Sequence, residues 1–154
     1  MVHGTFPPEE PLNDLAERRE DDVNSDELFE AALAVRNNSY SPYSNFPVGA
    51  AIRGTSGAVY VGTNVESSSL GLTLCAERTA IGALIAAGET AFTEVAVVAD
   101  TKRPVPPCGA CRQLLHEFGA DAHIFLGNLS GARAEYIVRD LLPEAFTAAD
   151  LKKS

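Results

Sequence analysis

An α/β architecture follows from the order of signals along this chain. Segments with helical and strand periodicity alternate as αββαβαββα from Asn24 onward. The run Glu94–Ala99 is almost continuously apolar, the pattern of a strand covered on both faces, so helices are expected on each side of a sheet. The length, 154 residues with 45% apolar, is enough for one domain with a real core and too little for two.

Residues 1–22 stand apart. Glu9, Glu10, Asp14, Glu17, Glu20, Asp21 and Asp22 face only Arg18 and Arg19, and Pro7, Pro8 and Pro11 interrupt a stretch with little periodic hydrophobicity. This composition reads as a mobile or loosely attached acidic extension, with a short helix around Leu12–Arg19 at most, and residues 23–154 as the folded domain. Asn24 followed by Glu27 resembles a capping box, and Leu28, Ala32 and Val35 give one apolar face through Arg36. Asn37–Ser44 is a Pro/Ser/Asn loop. Val48–Arg53 and Ala58–Val65 are β-rich, and the Gly54-Thr55-Ser56-Gly57 turn between them makes a hairpin. Cys75–Ala87 is an Ala-rich helix stopped by Gly88; the strand Glu94–Ala99 follows. The loop Thr101–Pro107, with three prolines, leads into a helix from Cys108 to Phe118, stopped by Gly119. His123–Leu126 and Ala134–Val138 are two more strands, and Leu141–Phe146 a short terminal helix.

Charge and composition narrow the function. A net charge of −9 leaves no Lys/Arg footprint for a nucleic acid. No uncharged run is long and apolar enough to span a bilayer, and the N-terminus lacks the basic start and apolar stretch of a secretory signal, so a cytoplasmic protein is expected. Three cysteines close no disulfide framework, and a Cys-x-x-Cys pair plus one more thiol points to metal or redox use.

Cys75 and Cys108 sit where predicted helices begin, and Cys111 follows on the next turn. A helix N-terminus favours the thiolate, the form that binds metal. Cys108 and Cys111 form a knuckle half-site, and Cys75 supplies a third ligand if its helix runs beside theirs. Three protein ligands leave one tetrahedral position open, the mark of a catalytic zinc. Glu77 lies in the first turn after Cys75, and helical side chains tilt toward the N-terminus, so its carboxylate can lean toward the metal and act as general base, then general acid. Arg78 and Arg112, next to the cluster in sequence, are candidates to offset the charge of three thiolates. Taken singly, each feature has a plainer explanation. A Cys-x-x-Cys is more often redox-active or half of a structural zinc site, a cysteine in an Ala-rich helix a small buried hydrophobe, a first-turn Glu a response to the helix dipole. Together, at two helix starts, they are hard to produce by accident.

Cys75-Ala76-Glu77-Arg78-Thr79-Ala80 and Pro107-Cys108-Gly109-Ala110-Cys111-Arg112-Gln113 resemble the zinc-dependent cytidine deaminases, whose signature is H-x-E…P-C-x-x-C with a three-cysteine variant. Cys75 in the His position is similar to the small homotetrameric nucleoside deaminases rather than to the His-Ala-Glu type that acts on tRNA adenosine, guanine or deoxycytidylate. The resemblance covers about Asp26 to Leu151. It implies a three-layer αβα fold with a central mixed sheet of about five strands, one Zn²⁺ per subunit, and hydrolytic deamination of cytidine and 2′-deoxycytidine in pyrimidine salvage.

Further segments carry the resemblance and assign roles by it. Tyr40–Ala50 is similar to the family segment whose phenylalanine lies against the pyrimidine, here Phe46. Asn64 and Glu66, which strand periodicity puts on one face, take the family's ribose-binding role. Leu141–Phe146 resembles the segment that reaches into a neighbouring subunit, so Phe146 would close the base pocket in trans. Ser68 and Leu70 take positions that face an adjoining subunit's substrate, with Leu70 where many relatives carry Tyr. The implied partners are a small nucleoside and the chain itself as a homotetramer with shared sites. Two other readings remain: a deaminase of another cytosine-bearing molecule such as blasticidin S, and a non-catalytic zinc knuckle. The latter would need a fourth protein ligand, for which His116 and His123 are the only histidines within the domain.

Overall fold

The computed structural model describes residues 20–152. Five strands, β1 (Val48–Gly54), β2 (Val59–Thr63), β3 (Phe92–Ala99), β4 (His123–Asn128) and β5 (Arg133–Ile137), form one sheet in the order β2-β1-β3-β4-β5. The β3–β4 pair is parallel and the other pairs are antiparallel, so the sheet is mixed. Three helices cover it: α1 (Glu20–Arg36) on one face, α2 (Ala76–Ala86) and α3 (Gly109–Gly119) on the other.

The central strand shows why the layers form. Along β3, Val95 and Val97 enter a cluster with Ala80, Ile81 and Leu84 of α2 and Leu115 of α3, whereas Ala96 and Val98 enter a second cluster with Leu28, Phe29 and Ala32 of α1. Period two sends alternate side chains to opposite faces, and both faces here are apolar, so the strand is buried on each. The hairpin closes as the turn sequence predicts, with Gly57 at φ 89° and Gly54 N–H bonded to Ala58 O at 2.9 Å. β3 and β4, running parallel, need a crossover, which α3 provides.

The expected boundaries shift in three places. α1 begins at Glu20, so Asn24 lies inside the helix rather than capping it. The extension proposed for residues 1–22 otherwise falls outside the described residues, as does the possible helix at 12–19. β2 ends at Thr63 instead of running through Val65, because Val65 leaves the ladder to form separate bridges with Tyr40 and Leu74. The terminal helix expected at Leu141–Phe146 is instead a 3₁₀ turn, Val138–Leu141, followed by irregular chain. Pro143 explains the break: it disfavours the helical conformation at Leu142, which adopts φ −142° and ψ 74°, and it has no N–H to continue the ladder. Glu144 then takes a positive φ of 54°.

Candidate active site

α2 and α3 start side by side, and each opens on a cysteine. Cys75 is the N-cap of α2 and Cys108 the N-cap of α3; both backbones are extended, with ψ of 156° and 166°. Their carbonyls accept the first helical bonds, from Arg78 and Thr79 in one case and Arg112 in the other, while neither thiol makes a capping bond. The sulfurs therefore remain available to a ligand. Cys111, one turn on, is buried, and the three sulfurs lie within 4.8 Å of one another.

This donor set fits zinc. Thiolate bonds of about 2.3 Å in a tetrahedron give sulfur–sulfur edges of about 3.8 Å, and the Cys75–Cys108 pair stands at 3.9 Å. Neither His116 nor His123 joins the cluster; His123 Nδ1 instead pairs with Glu135 at 2.6 Å. Among the described residues the site offers three protein ligands and no fourth, the open arrangement of a catalytic centre.

The electrostatics follow from the crowding. Hydrogen bonding from Cys111, then from Cys108, and the charge of Arg78 bring the Cys75 thiol down to about 5. The cost falls on Cys111, whose thiol is pushed up by its bond to Cys75, by burial and by the nearby Glu77. Three thiols at this spacing cannot all ionise without a cation between them. Arg78 supplies part of the compensation: Nη2 donates to Thr73 O at 2.5 Å, and Nε is buried with no partner among the described residues.

Glu77 is 5% exposed, in the first turn of α2. Burial pushes its carboxyl above the ordinary carboxylate range and the Cys75 charge adds to this, against opposing hydrogen bonds from its own backbone N–H and from Cys111. A carboxyl that holds its proton more tightly than usual beside a metal-binding cluster is suited to proton transfer. Thr79 anchors the turn, its hydroxyl shared between Thr63 O and Ala76 O, both at 2.8 Å.

A second group of predicted residues is stitched to the first. Val65 bridges Tyr40 on one side and Leu74 on the other, so Asn64, Glu66 and the loop carrying Phe46 are fixed next to the residue preceding Cys75. Asn64 is buried: Oδ1 accepts from Ser39 Oγ at 2.6 Å and Val48 N at 2.9 Å, and Nδ2 donates to Phe46 O at 2.9 Å. Glu66 accepts from the Tyr43 and Ser44 N–H groups and from the Ser44 hydroxyl, and the Ser44 bond above all holds its carboxyl below the usual range. Counting donors and acceptors, one amide N–H of Asn64 and one lone pair of Glu66 remain unspent. Ser39 and Ser44, which build this pair, were not singled out by sequence; the Ser-rich loop composition is the signal that could have found them.

The remaining candidates are spread more widely. Phe46 is partly exposed, Leu70 is 70% exposed in a 3₁₀ turn (Leu70–Leu72), and Ser68 lies on the open chain before it. Phe146 is 57% exposed, and its carbonyl accepts from Gln113 Nε2 at 2.8 Å. Arg112 does not address the thiols: Nε donates to Pro107 O at 2.8 Å and Nη1 to Leu141 O at 2.9 Å. Two of its five N–H donors are taken by backbone carbonyls, one of them immediately before Cys108.

Known proteins resemble this chain in sequence and fold. Residues 23–127 match the model of the cytidine and deoxycytidylate deaminase zinc-binding region. A cytidine deaminase of Halalkalibacterium halodurans is 51% identical over 125 residues, covering 80% of this chain and 95% of that protein. One of Mycobacterium tuberculosis is 38% identical over 132 residues, covering 86% and 96%. The crystal structure of a cytidine deaminase from Burkholderia pseudomallei superposes with a TM-score of 0.77 at 47% identity, covering 79% of this chain and 98% of that one. That from Mycobacterium leprae does so at 0.70 and 44%, covering 80% and 100%. With the zinc-region match spanning the sheet's centre and every thiol of the site, the chain belongs to the cytidine and deoxycytidylate deaminase family.

Proposed function

We propose that this protein hydrolyses cytidine and 2′-deoxycytidine to the corresponding uridines and ammonia. The observation that carries the reading is the buried Glu77 carboxyl beside Cys75 and Cys111, within a set of three thiols at zinc-binding spacing that has no fourth protein ligand among the described residues. Cys75, Cys108 and Cys111 would hold a zinc ion, which when bound would supply Lewis acidity to activate water near neutral pH. Glu77 carries both protons of the attacking water in turn, the first to N3 of the pyrimidine and the second, from the hydroxyl added at C4, to the amine leaving C4, so water is consumed and ammonia released. Arg78 balances thiolate charge beside Cys75. The donor left on Asn64 and the acceptor left on Glu66 suit one sugar hydroxyl, which gives and takes one bond each. Phe46 offers a flat face to the base.

The same reading makes the working unit a homotetramer in which Phe146, Ser68 and Leu70 serve a neighbour's pocket. The apolar surface left by a single chain supports it: Tyr40, Tyr43, Leu70, Leu72 and Phe146 are all exposed. Three free thiols suit a reducing compartment, so the cytoplasm and a salvage role belong to the proposal. The chemistry resides in residues 23–154, with residues 1–22 accessory. No helix among the described residues is long and apolar enough to cross a membrane.

An ultraviolet assay tests the substrate. Purified, zinc-loaded protein is expected to deplete cytidine and 2′-deoxycytidine absorbance with matching ammonia release and to leave blasticidin S unchanged. Turnover of blasticidin S without turnover of the nucleosides would replace the reading.

A further inference from the structure

Three consecutive residues of α3 hold two distant parts of the chain. Cys111 faces the thiol cluster. Arg112 bridges Pro107 O, immediately before Cys108, and Leu141 O, at the start of the C-terminal segment. Gln113 holds Phe146 O, five residues further along that segment. After the 3₁₀ turn the segment has no helix of its own, and Pro143 and the positive φ of Glu144 keep it from forming one. Its path is therefore set from outside, by the same helical turn that follows Cys108 and carries Cys111. Arg112 is suited to this because its planar fork spans two carbonyls at once, which an ammonium cannot do.

We propose that Arg112 and Gln113 are positioning residues that couple metal occupancy at Cys108 and Cys111 to the placement of Phe146, so that loading the site and setting the residue over the base are one event. This rests on the reading that the cysteines hold zinc and that Phe146 covers the pyrimidine. Coupling of this kind is reciprocal: zinc fastens the C-terminal segment, and loosening the segment weakens zinc binding by the same factor. The consequence is a chain that presents Phe146 correctly only once it holds its metal.

Cleavage of the full-length chain by a Glu-specific protease reads the segment directly, because Glu144 is exposed. Zinc-loaded and chelator-stripped wild type are compared with zinc-loaded Gln113→Glu, which removes the donor to Phe146 O, and Arg112→Lys, which keeps the charge but spans only one carbonyl. Stripping is expected to speed cleavage after Glu144 at least about tenfold, a mid-range coupling. Gln113→Glu and Arg112→Lys are expected to show similar fast cleavage with one zinc per chain still bound. Gln113→Glu should also raise KM for cytidine with little change in kcat, and adding Phe146→Ala should bring no further rise.

Equal cleavage after Glu144 in loaded and stripped wild type overturns the proposal. Wild-type cleavage rates in both loaded variants also overturn it, and they decide the matter if stripping unfolds the whole chain and opens the α3 backbone at Glu117 to equally fast cleavage. Wild type that binds zinc and turns over cytidine while failing these tests refutes the coupling alone. Wild type that takes up no zinc refutes the functional reading and the coupling with it.

Discussion

Asn64 shows how a residue proposed to bind the sugar can also be a strut. Its side chain is committed to Ser39, Val48 and Phe46, which leaves one N–H for anything outside the protein. Replacing it by Ala removes the bonds to the Val48 N–H and the Phe46 carbonyl, at a cost of about 0.5–1.5 kcal/mol for each half-buried hydrogen bond lost. Asn64→Ala is therefore expected to lower the urea midpoint and raise KM for cytidine together, and urea titration beside steady-state kinetics checks both. An unchanged midpoint would show that the strut carries no weight. The sequence made the thiols and Glu77 legible because metal chemistry constrains residue type and spacing at once. The partners of Arg112 were not legible, for the opposite reason: adjacency in sequence says nothing about where a long side chain sends its head group, and here two carbonyls accept from it. Gln113 left no signal, since a glutamine on a helix is compatible with any surroundings.

At the scale of elements, the position of α2 decides whether Cys75 and Glu77 meet the other thiols, and β2 sets that position. A Cβ on Gly62 would lie 2.2 Å from Ala80 N and 2.5 Å from Ala76 O, both backbone atoms of α2. Gly62→Ala must push the helix outward, so it is expected to destabilise the fold by about 1–3 kcal/mol, as overpacking does, and to weaken zinc retention under chelator competition. Wild-type zinc retention would mean that the helix start does not depend on this contact. At the far end of α2, Glu89 accepts from Thr55, Ser56 and Tyr60 and so ties the β1–β2 turn to the chain after the helix. The Ser56 hydroxyl, then Tyr60, bring its carboxyl down to about 2, below the ordinary 4.5. A carboxyl whose folded pKa is depressed stabilises above its unfolded pKa and loses that contribution as pH falls through the folded one. The stability gap between wild type and Glu89→Gln is thus expected to be full at pH 6 and to close between about pH 5 and 2, as urea midpoints across that range would show; a gap independent of pH would contradict it. The elements themselves were readable wherever period and turn residues agreed, as in β3 and the Gly54–Gly57 hairpin. The errors lie at ends: α1 starts before its apparent cap, and the terminal helix fails at Pro143, where local backbone restriction outweighs an apolar pattern too short to nucleate a helix.

For the whole molecule, the sheet brings two helix starts together at one end, while the residues expected to finish the pocket stay on the surface. Phe146 and Leu70 are 57% and 70% exposed, a state that association would relieve. Mixing Glu77→Gln with Phe146→Ala after reversible dissociation is expected to restore part of the activity, because some sites then combine an intact Glu77 from one chain with an intact Phe146 from another; no recovery in verified mixed tetramers would place Phe146 in its own chain's site. What assembles could not be derived from one chain's periodicity, since the same apolar residues serve a core or an interface. The central claim, that Glu77 moves the protons of a zinc-dependent deamination, is tested most directly by comparing Glu77→Gln with wild type for zinc content and for kcat on cytidine. The amide keeps the shape and cannot accept the proton, so the variant is expected to hold one zinc per chain while kcat falls by about 10²–10⁴-fold or more. Near wild-type kcat in the zinc-loaded variant would contradict the account.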